Sequence, residues 1–109
     1  MPFLNGKEIR YVIFEDEKWF SVVDIIEILT ESPNPSAYWR MLKWKLLKDY
    51  NDIPFWNRLE LESKESKMKG TDCANTEGVL RIVMSIPSPK VEPLKIWLCE
   101  QGMNSTKES

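Results

Sequence analysis

The chain has 109 residues, 42% of them apolar and 29% charged, with a formal net charge of −2. That is the composition of a single soluble globular domain and excludes a disordered or fibrous chain. No apolar run approaches the ~20 residues needed to cross a bilayer, and the start, MPFLNGKEIR, lacks the pattern of a secretory signal, so a cytoplasmic protein with no membrane partner is expected.

Ile9 to Phe14, IRYVIF, is β-branched and aromatic, and the acidic cluster EDEK follows before Trp19 and Phe20 resume the apolar pattern. This predicts a β-hairpin with Ile9, Tyr11 and Ile13 on one face. Ser21 then caps a helix with Asp24 at its third position, and Val22, Ile25, Ile26 and Leu29 form its buried face. Asn34 caps the next helix with Pro35 in its first turn, where a missing N–H is harmless. Trp39, Leu42, Leu46 and Tyr50 make its core stripe, while Arg40, Trp44 and Lys48 recur at four-residue steps on another face.

NDIPFWN reads as a loop, in which Phe55 and Trp56 either cap the core or form a homodimer contact, core capping being favoured. Arg58 to Ser63 alternates with period two, Leu59 and Leu61 pointing inward, and KMKGTDC returns as the partner strand. Asn75 caps a third helix with Glu77 in its first turn and Val79, Ile82, Val83 and Ile86 inward. Gly78 inside that helix costs ~1 kcal/mol relative to alanine, which implies close packing by another element. After Pro87 a last helix opens at Ser88-Pro89 or, with Pro93 in its first turn, at Glu92-Pro93. Ile96, Trp97 and Leu94 are its inward candidates, and Gly102 is the expected stop.

The fold class expected is α+β: one small domain in ββαα-ββαα order, with two antiparallel hairpins packed against helices. It should occupy residues 1–103, leaving 104–109 as a disordered tail.

The chemistry available is limited. The chain has no histidine, which removes the usual imidazole base and most transition-metal sites. Cys73 and Cys99 fit no metal or redox spacing, and two reduced, partly buried thiols are expected. Asp72, Asn75 and Glu77 form the one polar cluster resembling a site, but capping and helix-end electrostatics account for all three. A non-enzymatic protein with no cofactor and no metal follows.

The charge is unevenly spread: residues 1–31 carry three Lys/Arg against seven Asp/Glu, whereas residues 32–95 carry eleven against eight. From Ser36 to Lys48 there are four cations and no acids.

FSVVDIIEILTESPNPSAYW, followed by TDCANTEGVLRIVMSIPSPKVEPLKIWL, resembles the Bro-N domain of baculovirus BRO proteins and phage antirepressors, and is most similar to the branch that includes DNA-damage-inducible protein D-like proteins. The second block, with NTEGVLRI, SIPSPK and EPLKIWL in register, is the specific one. The resemblance implies an α+β module regarded as DNA-binding and joined to a variable C-terminal region. Two departures stand out. Ser66 occupies a turn position where the family often has glycine, and LCEQGMNSTKES is expected to leave the family pattern, with no second domain expected after it.

The expected function is therefore a DNA-binding module of prophage or bacterial origin acting in transcriptional regulation, with duplex DNA as partner. The alternative is a module that binds another protein regulator. Arg40, Lys43, Lys45 and Lys48 are the candidate phosphate contacts, with Trp44 stacking on a base or acting as a wedge. Arg58, Lys64, Lys67 and Lys69 would place a β-ribbon in a groove, or the lysines would instead protect an edge strand, which is the favoured reading. The block from Lys67 to Leu98 then serves as scaffold, and DNA contact lies on the helix from Ser36 to Lys48.

Overall fold

The computed structural model describes residues 3–107 except 5, 52–53 and 64, and no side chain is described at 3 or at 102–107. A two-residue hairpin opens the described chain: β1 (Phe3–Leu4) pairs with β2 (Lys7–Glu8). Gly6 turns between them with φ 78°, a conformation that glycine adopts without strain. No pattern in residues 3–8 sets this hairpin apart from the strand run that follows it.

The expected first hairpin follows as β3 (Tyr11–Phe14) and β4 (Glu17–Ser21), in register Tyr11↔Phe20 to Phe14↔Glu17. Its two-residue turn is Glu15-Asp16, with φ 52° and 65°. Both residues are left-handed, the geometry of a type I′ turn that Asn-Gly adopts most readily. Replacing Glu15-Asp16 by Asn-Gly should stabilise the domain by about 0.5–1 kcal/mol, because an L side chain in that region costs ~1–2 kcal/mol and glycine's extra unfolded-state freedom returns part of it. A urea midpoint unchanged or lowered would count against this turn assignment.

β4 runs straight into α1 (Val22–Thr30), with Ser21 Oγ accepting from the Asp24 N–H as its cap. Glu31 ends α1 in the left-handed region. After it comes α2 (Pro35–Asp49), capped by Asn34 Oδ1 on Ala37 N. The second half repeats the plan. β5 (Asn57–Glu62) and β6 (Met68–Ala74) pair from Asn57↔Cys73 to Glu62↔Met68. β6 feeds α3 (Thr76–Met84), capped by Asn75 Oδ1 on Gly78 N. α4 (Val91–Lys107) closes the chain.

The two hairpins form one sheet, in order β3-β4-β6-β5, joined at Phe20↔Ala74 and Ser21↔Cys73. Each half thus places its second strand at the centre and its first at an edge. The parallel extends to the helix starts. Extending each hairpin's register brings Arg10 opposite the cap Ser21 and Phe55 opposite the cap Asn75. Arg10 covers the third helical position of α1 through a two-pronged pair with Asp24, at 2.9 and 3.1 Å. Phe55 covers the same position of α3, which is Gly78. The close approach inferred from Gly78 is therefore present, and the element making it is the loop before β5.

The main core lies between one face of the sheet and the helices. It takes Phe20 from β4, Ile25 and Ile26 from α1, Trp39 and Leu46 from α2, and Val79, Ile82 and Val83 from α3. Tyr50, Phe55 and Trp56 pack against it, the rings meeting edge to face at 5.0–5.4 Å, so Phe55 and Trp56 cap the core as expected. Leu94, Trp97 and Leu98 of α4 are buried, but Ile96 is 61% exposed, contrary to expectation. The i, i+3, i+4 set that faces inward begins at Leu94 and excludes Ile96. α4 also starts at Val91, between the two expected sites, with Pro93 still in the first turn, where its N–H would have had no partner. It continues through Gly102 to Lys107, so Gly102 is not its stop, and residues 104–107 of the expected tail are helical.

A second, smaller core sits on the other face. Trp19, Leu61 and Cys73 are buried there with Val12 and Leu59 against them, because the sheet curls until its edge strands β3 and β5 approach each other. Leu59 and Leu61 point inward, though into this second cluster. Tyr11 and Ile13, by contrast, lie on the outside at 37% and 59% exposure.

Candidate nucleic-acid interface

A groove of about 890 Å3 opens between α2 and the β5–β6 hairpin. Ser36, Trp39, Arg40 and Lys43 form its helical wall, and Arg58 with Lys69 to Asp72 forms the opposite one. Lys7, Arg10, Asp24 and Glu27 close one end. Four of the nine residues expected at the interface, Arg40, Lys43, Arg58 and Lys69, are thereby brought together across two elements.

Asp72 holds the floor. It is 11% exposed and accepts from Trp39 Nε1 at 2.8 Å, while Lys43 Nζ lies 2.6 Å away and Arg58 Nη1 3.9 Å away. Burial pushes its carboxyl upward, but the Lys43 and Trp39 donors, helped by the Arg58 charge, outweigh that and hold it below its ordinary value. Asp72 therefore ties α2 to the hairpin and is no helix cap; that expectation holds only for Asn75. Glu77, in the first turn as expected, pairs with Arg81 at 2.8 Å. At the groove's end the Asp24 carboxylate binds Arg10 in two-pronged fashion and keeps its guanidinium charged still more firmly than usual.

The remaining expected residues lie on either side of the groove. Trp44 is 69% and Met41 78% exposed, on the outer face of α2 with exposed Lys45 and Lys48. Lys67 and Lys69 line a hollow beside the hairpin tip, and Lys64 falls outside the described residues. β6 pairs with β4 only at Cys73 and Ala74, so around Lys69 the strand is paired with β5 alone.

Carboxylate pairing separates the cations into two sets. Lys7, Arg10, Lys43, Arg58, Arg81, Lys90 and Lys95 each have an Asp or Glu within 4 Å. Among the described residues, Lys18 reaches Gln101 instead, and Arg40, Lys45, Lys48, Lys67 and Lys69 have no carboxylate partner. Arg40, Lys67 and Lys69 line the groove or the adjoining hollow, while Lys45 and Lys48 are exposed on α2 outside both. Arg40 joins the helix face to the groove, and Lys69 lines both groove and tip.

The model of the BRO family N-terminal domain, Bro-N, matches residues 8–103. The chain belongs to this family. No curated protein and no solved structure gives a significant match. The Bro-N match takes in α2 and the β5–β6 hairpin together, so every groove residue named above except Lys7 falls within it. Ser66, where the family often has glycine, adopts the left-handed φ of 62° that glycine favours.

Lys7, Glu8, Arg10 and Glu27 are the charged groove residues that sequence reasoning did not single out, and it accounts for Asp72 only by helix-end electrostatics. Arg10 carries a faint signal, a charge inside an otherwise apolar strand run. The partners of Asp72 come from α2 and β5 and leave no local pattern. Of the two thiols, Cys73 is buried, donates to Thr71 O at 3.3 Å and is pushed up to about 11 by its burial, whereas Cys99 is exposed rather than partly buried. A thiol raised that far supplies almost no thiolate near neutrality, so Cys73 makes a poor nucleophile. No helix among the described residues is long and apolar enough to cross a membrane.

Proposed function

We propose that this Bro-N domain is a non-enzymatic DNA-binding module of the prophage antirepressor type, acting in transcriptional regulation. The observation that carries the reading is the set of five exposed cations without carboxylate partners, Arg40, Lys45 and Lys48 on α2 and Lys67 and Lys69 at the β5–β6 hairpin. Cations already paired with carboxylates gain little from a phosphate. Unpaired ones displace only water and counterions, and the counterions released drive binding. Exposed Trp44, one turn from both Arg40 and Lys48, adds a ring that can stack on a base.

Five phosphate contacts give a slope of about −4.5 for log affinity against log salt, which is roughly a 500-fold loss between about 50 and 200 mM. Lys45→Ala/Lys48→Ala should weaken binding on all sequences alike and flatten that slope by about 1.8. Fluorescence anisotropy with labelled duplexes measures both. Lys43 is a poor choice for this test, because its ammonium is held by Asp72 and its loss disturbs the fold. Absence of binding at low salt, or affinity indifferent to salt, would sink the proposal.

The exposed Met41–Trp44 pair favours a second reading, a protein regulator docked on α2. Its mark is a complex that survives nuclease and high salt and is lost in Trp44→Ala.

A further inference from the structure

We propose that Arg58 is the residue through which this module reads sequence, selecting a guanine on the major-groove edge of duplex DNA. The inference rests on the DNA-binding reading and assigns it a specificity determinant. Arg58 differs from every other ion-paired cation described. Its side chain is 69% exposed although Asp72 lies 3.9 Å away, whereas the next most exposed, Lys7, reaches 48%. Its charge faces Asp72 at the limit of an ion pair, and its side chain is presented to solvent.

Its orientation is set from below. A Cβ at Gly70 would lie 2.8 Å from Arg58 Nε and 3.4 Å from Cζ, so the guanidinium crosses the neighbouring strand where that strand has no side chain. Asp72 is itself fixed by Trp39 and Lys43. Arginine's planar fork presents two donors in fixed geometry, and the bare backbone at Gly70 gives it room to lie across the strand.

The surroundings suit a base edge better than a phosphate. Arg58 shares its face of the edge strand β5 with Glu60 and Glu62, both exposed. Carboxylates there repel the backbone, but they can accept from a cytosine amino group, while arginine gives guanine O6 and N7 their paired donors. The unpaired cations stand nearby, Arg40 on the helical wall, Lys67 in the turn before β6 and Lys69 on β6. A two-stranded ribbon fits the major groove, so the hairpin can place Arg58 at the bases while these cations hold phosphates.

Selection from a randomised duplex pool, followed by anisotropy on the enriched site, tests this. The wild type should enrich a site with one fixed guanine. Arg58→Ala should lose about 5- to 150-fold of the preference at that one position and leave the others intact. Arg58→Lys should fail to restore it, because an ammonium lacks the fork. Gly70→Ala, which keeps every charge but displaces the guanidinium, should weaken the same preference. Binding without base preference in the wild type, or an unchanged consensus in Arg58→Ala, overturns the assignment and leaves DNA binding standing. Wild-type protein that binds no duplex at low salt removes both.

Discussion

Gly78→Ala should destabilise the domain by about 1–3 kcal/mol, the cost of adding a methyl group to a filled site. The sign is the informative part. In an exposed helix interior the same change gains ~1 kcal/mol from helix propensity. Here the new Cβ would meet Ala74 Cβ and Phe55 Cδ1 at 3.0 Å each, and the Phe55 carbonyl oxygen at 3.3 Å. None of these neighbours can yield easily. Ala74 is paired in the sheet, and Phe55 packs between Tyr50 and Trp56 with the Arg81 guanidinium 5.3 Å from its ring centre. Urea unfolding of the wild type, Gly78→Ala, Phe55→Ala and the double variant checks the argument. The double variant should lose less than the two single losses together, because alanine at 55 removes the ring carbon nearest the new methyl. A midpoint raised in Gly78→Ala would mean that the Phe55 loop does not pack on α3.

What could be read in the sequence was what neighbouring residues decide among themselves. Ser21, Asn34 and Asn75 cap helices because each accepts from an N–H three residues on, and that arrangement is visible in a single stretch. The core stripe of α2 follows from helical spacing, and Trp39, Leu42 and Leu46 are buried as it requires. The joining of the two hairpins had no such signal, because β4 and β6 share only two residue pairs, Phe20↔Ala74 and Ser21↔Cys73. The second core behind the sheet was hidden for the same reason, since curling brings Trp19 and Leu61 together from different hairpins. Ile96 shows a different limit: its spacing argued against burial, and its apolar character alone suggested it.

The division between a scaffold block and a binding helix also changes. Lys67, Lys69, Gly70 and Asp72 lie in the block from Lys67 to Leu98, and all four line the groove or the adjoining hollow. The segment that carries the family resemblance therefore supplies one wall of the candidate interface and the carboxylate that fixes the other. α2 contributes its cations only in the position Asp72 gives it.

Asp72→Asn should accordingly cost about 2 kcal/mol at neutral pH, the worth of a partly buried hydrogen bond to a charged group. Asparagine keeps the size and can still accept from Trp39, so the loss isolates the charge opposite Lys43 and Arg58. The pH dependence has a definite sign. The folded carboxyl lies below its ordinary value of 3.8, so the unfolded chain takes up the proton first as pH falls. Stability owed to Asp72 is complete above 3.8 and disappears as pH drops through the lower folded value. The gap between wild type and Asp72→Asn should hold steady from about pH 7 to 5 and narrow towards about pH 3. Urea midpoints at those three pH values measure it, and a gap that is constant or widening towards acid would show that Lys43 and Trp39 do not hold the charged form. The same variant removes the charge that faces Arg58 while leaving Gly70 beneath it. The proposed base preference should then weaken without the uniform loss of affinity expected when Lys45 and Lys48 are removed, which separates the positioning work of Asp72 from simple electrostatic attraction.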